Sequence, residues 1–233
     1  MFNQATASPT VEDSGLRSYM IGIYNKMGLG LVLTAILSWL FAYNPNLTAL
    51  LYTTNPKGAL TYTILGWIVA FAPLAVIFMR SFLGSTVAYW LVVVLFGISL
   101  SSVAMLYTVS SLASTFLITA AAFGGLSLFG YTTKKNLSGV GNFAVMALIG
   151  LIIAMIVNLF LRSSMFDLII SAAGVLIFSA LIAYDTQNLK NLYSPGLSGK
   201  ELDERTSEGA LSLYLDFINL MLFLLRFLGV KKD

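Results

Sequence analysis

The sequence contains no cysteine and no histidine. Disulfides, thiolate and imidazole metal sites, and Ser-His or Cys-His nucleophile pairs are therefore excluded. Charge is scarce as well. Asp, Glu, Lys and Arg make up 10% of the 233 residues, and a net charge of +3 is too small and too dispersed to suggest nucleic acid. Any chemistry must use carboxylates, Lys, Arg, Tyr and hydroxyls. A secretory signal is also missing from the first 20 residues, MFNQATASPTVEDSGLRSYM, which lack an apolar core and carry Glu12 and Asp13. Residues 1–20 read as a mobile polar tail.

Apolar residues are present in excess: 58% of the chain is hydrophobic and the mean hydropathy is +0.87. A soluble domain of this length could not cover so much apolar surface, so an all-α integral membrane protein is expected. Crossing the hydrocarbon takes about 20 helical residues. The uncharged runs divide into seven spans, near 23–43, 58–80, 86–107, 112–131, 141–161, 166–187 and 210–229, which makes 21–230 one transmembrane domain. The stretch from 188 to 209 reads as a loop with a short helix from Lys200. Pro73 is expected to kink the second span or free a carbonyl there. Gly28, Gly30, Gly124, Gly125 and the SAAG at 171–174 suggest close helix packing. Trp39, Tyr43, Tyr131 and Tyr193, near span ends, fit interfacial anchoring.

Counting Lys and Arg sets the orientation. With the N-terminus cytoplasmic, the inner segments hold Arg17, Lys26, Arg80, Lys134, Lys135, Lys190, Lys200 and Arg205, against Lys57 and Arg162 outside. An odd number of spans then carries Arg226, Lys231 and Lys232 to the outer side, against the rule, unless the last segment re-enters.

The last span is the anomaly. It carries Asp216, and a carboxylate at mid-helix costs about 2.5–3.5 kcal/mol on insertion scales. At about 100° per residue, Ser212, Asp216, Asn219 and Arg226 share an arc of about 80°. That face is expected to look into the bundle, as a structural seam or a functional site. Arg80, ending the second span, and Asp185, ending the sixth, would join Asp216 near one membrane face. Two carboxylates in contact cannot both ionise cheaply, so they share a proton and titrate as a unit. With Asn219, Ser212, carbonyls and water, they could pass Ca2+ transiently as oxygen ligands.

SLFGYTTKKNLSGVGNF, AYDTQNLKNLY, GALSLYLDFINLMLFLLRFLG and, in the first span, YMIGIYNKMGLGLVLTAILS resemble the transmembrane Bax inhibitor motif family, over nearly all the chain after residue 18. The resemblance implies a bundle of six helices around a central seventh, in a bacterial-type member of the inner membrane. It also implies a proton-sensitive calcium leak without enzymatic activity or cofactor, in which Asp185 and Asp216 are the paired carboxylates and Arg80 latches the second helix to them. Val69 stands where some relatives have Glu. Family members are also linked to restraint of cell death and to modulation of a membrane-bound protease, so a non-transporting regulator is the alternative reading. An intramembrane aspartyl protease fits less well, because LYLD replaces the Gly-x-Gly-Asp that such enzymes need beside the second aspartate. A retinal protein would need a lysine in the last span, and none precedes Lys231.

Overall fold

In the computed structural model, residues 9–55 and 60–232 are described. In chain order the elements are α1 (Pro9–Tyr43), α2 (Pro45–Leu51), β1 (Tyr52–Thr54), β2 (Leu60–Tyr62), α3 (Ile64–Phe78), α4 (Arg80–Leu83), α5 (Ser85–Ser99) and α6 (Ser101–Leu106). They are followed by α7 (Val109–Thr132), α8 (Ser138–Leu161), α9 (Ser164–Asn191) and α10 (Gly199–Leu228). Among the described residues, six helical segments are long and apolar enough to cross a membrane: Ser14–Tyr43 within α1, Ser85–Leu106 formed by α5 and α6, and α7, α8, α9 and α10. The chain is thus an integral membrane protein by length and composition. α3, at 15 residues, is apolar but shorter.

Several boundaries differ from the sequence expectation. Residues 9–20 belong to α1 rather than to a mobile tail, and Tyr19 and Met20 are buried, with the Tyr19 ring 5.5 Å from that of Tyr193. Residues 1–8 lie outside the described residues. The loop expected over 188–209 shrinks to the stretch between Asn191 and Gly199, because α9 continues to Asn191 and the helix expected from Lys200 is the start of α10 itself. The second expected span starts late. Ahead of α3 the chain makes an antiparallel hairpin in which Tyr52 faces Tyr62, and the Tyr52 hydroxyl lies 2.8 Å from Ser101 Oγ. Thr63 then caps α3, its hydroxyl accepting from the Gly66 amide at 3.0 Å. Pro73 is buried within α3, which runs unbroken from Ile64 to Phe78. Of the glycines expected to allow close packing, Gly30 meets Tyr89 and Gly174 meets Phe223, whereas Gly28, Gly124 and Gly125 face open space.

α10 is the most buried of the membrane-length helices and packs against α1, α5, α7 and α9. α8 rests on α9, and α3 on α5. Polar side chains tie these helices together. Tyr24, Ser127 and Thr186 form a hydroxyl chain from α1 through α7 to α9, with steps of 2.5 and 3.0 Å. Tyr214 on α10 meets Thr34 on α1 at 2.6 Å, and the Tyr89 hydroxyl of α5 donates to the Lys26 carbonyl at 2.6 Å. Such bonds contribute about 0.6 kcal/mol each in a membrane, so their number matters more than any one.

The end of the bundle that carries Lys26 is here called proximal. There Lys26 donates to Asp203 Oδ1 and Ser207 Oγ, both at 2.6 Å, and Thr86 donates to Asp203 Oδ2 at 2.7 Å. Glu204 accepts from the amides of Ser85 and Thr86, the first N–H groups of α5. At the distal end, Val230 and Lys231 lie along Leu106–Thr108. Thr108 N–H donates to the Val230 carbonyl, and Lys232 N–H to that of Leu106.

Candidate functional site

The site is built on facing turns of α9 and α10. Asp185 lies in the proximal half of α9, whose close packing on α10 is set by the Gly174–Phe223 approach. Asp216 lies opposite, on α10, and is 6% exposed. The two carboxyl groups stand at hydrogen-bonding range of each other. Ser212, one turn before Asp216, donates to Asp185 Oδ2 at 2.5 Å. Asp216 Oδ2 is buried and has no donor among the described residues. Two carboxylates meeting in an apolar bundle, one with an oxygen lacking any donor, can be satisfied by a proton held between them.

Asn219 completes this stretch, donating from Nδ2 to the Leu215 carbonyl at 2.7 Å. Its Oδ1 is left as an acceptor. Arg226 departs from the expected inward face: it is exposed and lies over the Phe223 ring at 5.7 Å. Leu225 is still buried, but the end of α10 beyond it is not, and Phe227 and Leu228 are also exposed.

Arg80 is not beside the aspartates. It is half-exposed at the proximal end and pairs with Glu208 of α10 at 3.8 Å. Glu208 lies one turn before Ser212, so the arginine reaches the aspartates only through the α10 backbone and Ser212. Arg80, Glu208, Arg205, Asn188, Tyr19 and Ser212 line a proximal cavity of about 230 Å3. A second cavity of about 350 Å3, between α8, α9 and α10, is lined by Asp216, Asn219, Ser212 and apolar side chains. Ser212 and Leu215 border both cavities.

Glu208, Arg205 and Asn188 escaped the sequence reading. The signal for the first two was present: they fall on the same arc of about 80° as Ser212 and Asp216, extending the polar stripe two turns toward the proximal end. Val69, where a Glu was the alternative, accepts from Ser99 through its carbonyl at 3.0 Å. Among the described residues no group of three or more His, Cys, Asp or Glu gathers as a metal site. The aspartate pair could thus offer a cation only weak coordination, supplemented by hydroxyl, amide and water oxygens.

Comparison with known proteins adds a family. The family described as inhibitor of apoptosis-promoting Bax1 matches residues 16–233. Among similar proteins, one of Caulobacter vibrioides, described as uncharacterized, is 46% identical over 229 residues, covering 95% of this chain and 92% of its own. The inner membrane protein YbhL of Escherichia coli K12 is 40% identical over 232 residues, covering 94% of each. A membrane protein of Streptococcus pyogenes, also described as uncharacterized, is 35% identical over 222 residues, covering 94% of this chain and 96% of its own.

Proposed function

The chain belongs to the family of inhibitors of apoptosis-promoting Bax1, and from that premise we propose that it is a proton-sensitive cation leak of a bacterial inner membrane, with Ca2+ as the transported ion. In this reading it is not an enzyme and holds no cofactor. α3 is the seventh crossing, so that six surround α10, and the N-terminus is cytoplasmic, so the proximal cavity opens to the cytoplasm. The observation that carries the proposal is the contact of Asp185 with Asp216 in the bundle, with one buried carboxylate oxygen lacking a donor.

The pathway follows the polar stripe of α10. A cation entering the proximal cavity meets Glu208 and Ser212, then Asp216 with Asn219 in the second cavity, while Asp185 acts on this path through its bond from Ser212. Weak, successive oxygen sites suit passage, since conduction needs binding favourable enough to enter and weak enough to leave. Gating works through the hydrogen bond from Ser212. While Asp185 is ionised, that bond is charge-assisted and about twice as strong as a neutral one. Protonating the pair weakens it and loosens α10 against α9, one turn from Glu208. Arg80 and Glu208 then separate more easily, α3 is released, and permeation rises. The latch of Arg80 thus acts through Glu208.

Purified protein in liposomes tests this reading by Ca2+ and K+ flux across a pH series. Flux that increases on acidification supports it. Liposomes no leakier than empty ones at every pH would leave a non-transporting regulator of membrane proteases or stress responses in its place.

A further inference from the structure

The cavity between α8, α9 and α10 lies halfway along α8, at Leu148, Ile152 and Met155. Ile152 is both part of its lining and 45% exposed, beside the outward-facing Ile149, Ile153 and Ile156. The opening therefore lies on the membrane-facing edge of α8, at mid-bilayer depth. Its volume of about 350 Å3 is within the range of small-molecule sites.

The polar groups in this cavity are unbalanced. Ser212 spends its proton on Asp185, and Asn219 spends an amide hydrogen on the Leu215 carbonyl. Asp216 Oδ2 remains buried and without a donor, beside Asn219, which keeps its Oδ1 and a second amide hydrogen. The unpartnered carboxylate oxygen favours a ligand that brings a hydrogen-bond donor. The facing acceptor belongs to a carboxyl group, which favours a donor able to carry positive charge. The remaining walls are aliphatic and aromatic, including Phe178 and Phe223 stacked at 5.8 Å.

We propose that this cavity is a binding site for lipophilic amines, entered from the bilayer, in which the amine N–H donates to Asp216 and the alkyl or aryl body lies among the apolar side chains of α8 and α9. The uncharged amine crosses the hydrocarbon. On arrival it takes up the proton held by the aspartate pair, so the net charge in the site does not change and an ion pair replaces the carboxyl–carboxylate contact. An occupant wedged between α8 and α10 stabilises the packed bundle. The site stands on this geometry alone, whether or not the aspartates conduct ions.

A hydrophobic carbodiimide reports access to the site. The carboxyl oxygen adds to the central carbon of the reagent as the carboxyl proton moves to its nitrogen, leaving a covalent adduct with no other product. In lipid nanodiscs the full chain should gain one adduct, located on Asp216 by peptide mass, and a water-soluble carbodiimide should react far more slowly. Asp216→Asn should remove the adduct. Ile152→Trp, which narrows the opening without touching the carboxylates, should slow labelling. N,N-dimethyldodecylamine should slow it about tenfold, as expected for one charge-assisted bond, while dodecanol, and dodecyltrimethylammonium with no N–H, should not. Equal protection by all three amphiphiles, absence of an Asp216 adduct, or equal labelling by the two reagents would overturn the proposal. Because labelling is read without flux, its failure is distinct from failure of the leak.

Discussion

Asp185 and Asp216 are the most costly side chains in the bundle, and their neighbours show how the cost is contained. An isolated buried carboxylate is penalised by several kcal/mol. Contact between the two, with Ser212 donating to Asp185, allows one charge and one proton to serve both groups. Arg80 offsets charge elsewhere, at Glu208, where both side chains are about half exposed. A pair so exposed contributes only about 0–1 kcal/mol. Arg80→Ala and Glu208→Gln are therefore each expected to raise basal leak at the alkaline end of a pH series by no more than about fivefold, the factor that about 1 kcal/mol represents. Basal flux unchanged in both variants at normal protein levels would show that the pair does not hold the gate.

Among the elements, α10 does the most, and its first turns fasten the proximal end. Glu204 takes the two leading N–H groups of α5, and Asp203 and Ser207 hold Lys26 and Thr86. Loss of a cap costs about 0.5–2 kcal/mol. Glu204→Ala should lower the thermal midpoint of the purified protein in detergent, and Glu204→Gln, which keeps an acceptor, should lower it less. Equal midpoints for the two variants would show that the cap is not what fastens α5. These contacts also mark where sequence reading ended. The uncharged runs located the long helices, and the arc of Ser212, Asp216 and Asn219 identified the face, because both depend on local periodicity. The burial of Tyr19, the hairpin before α3, the pairing of Arg80 with Glu208 and the cap by Glu204 depend on which helices meet, and periodicity carries no such information. Arg226 is exposed despite its arc for a related reason: an arc says which way a residue points, not whether a neighbouring helix covers it.

For the whole molecule, the proximal end gathers Lys26, Arg80, Lys134, Lys135, Lys190 and Arg205, which fits a cytoplasmic face under the charge rule. Single cysteines can be placed in this cysteine-free chain without background. Asn136→Cys and Lys200→Cys should resist an impermeant thiol reagent in intact cells, and Ser163→Cys should react. Strong labelling at 136 or 200 would invert the orientation and with it the direction from which protons reach the aspartates. With that orientation, acidification of the cytoplasm acts first on the proximal cavity, then on Asp185 and Asp216.

If Asp185 and Asp216 act as one proton-sensing unit, Ca2+ flux into liposomes at several pH values reads that unit out. The comparison needs four proteins: the unaltered chain, Asp185→Asn, Asp216→Asn and the double variant. Flux through the unaltered protein should rise as the pH falls. Each single substitution should flatten that rise by a similar amount, and the double variant should differ little from either, because residues acting as a unit do not add. Independent, additive losses, or a pH response that survives in the double variant, would rule out a shared proton and leave Asp216 as part of a structural polar seam.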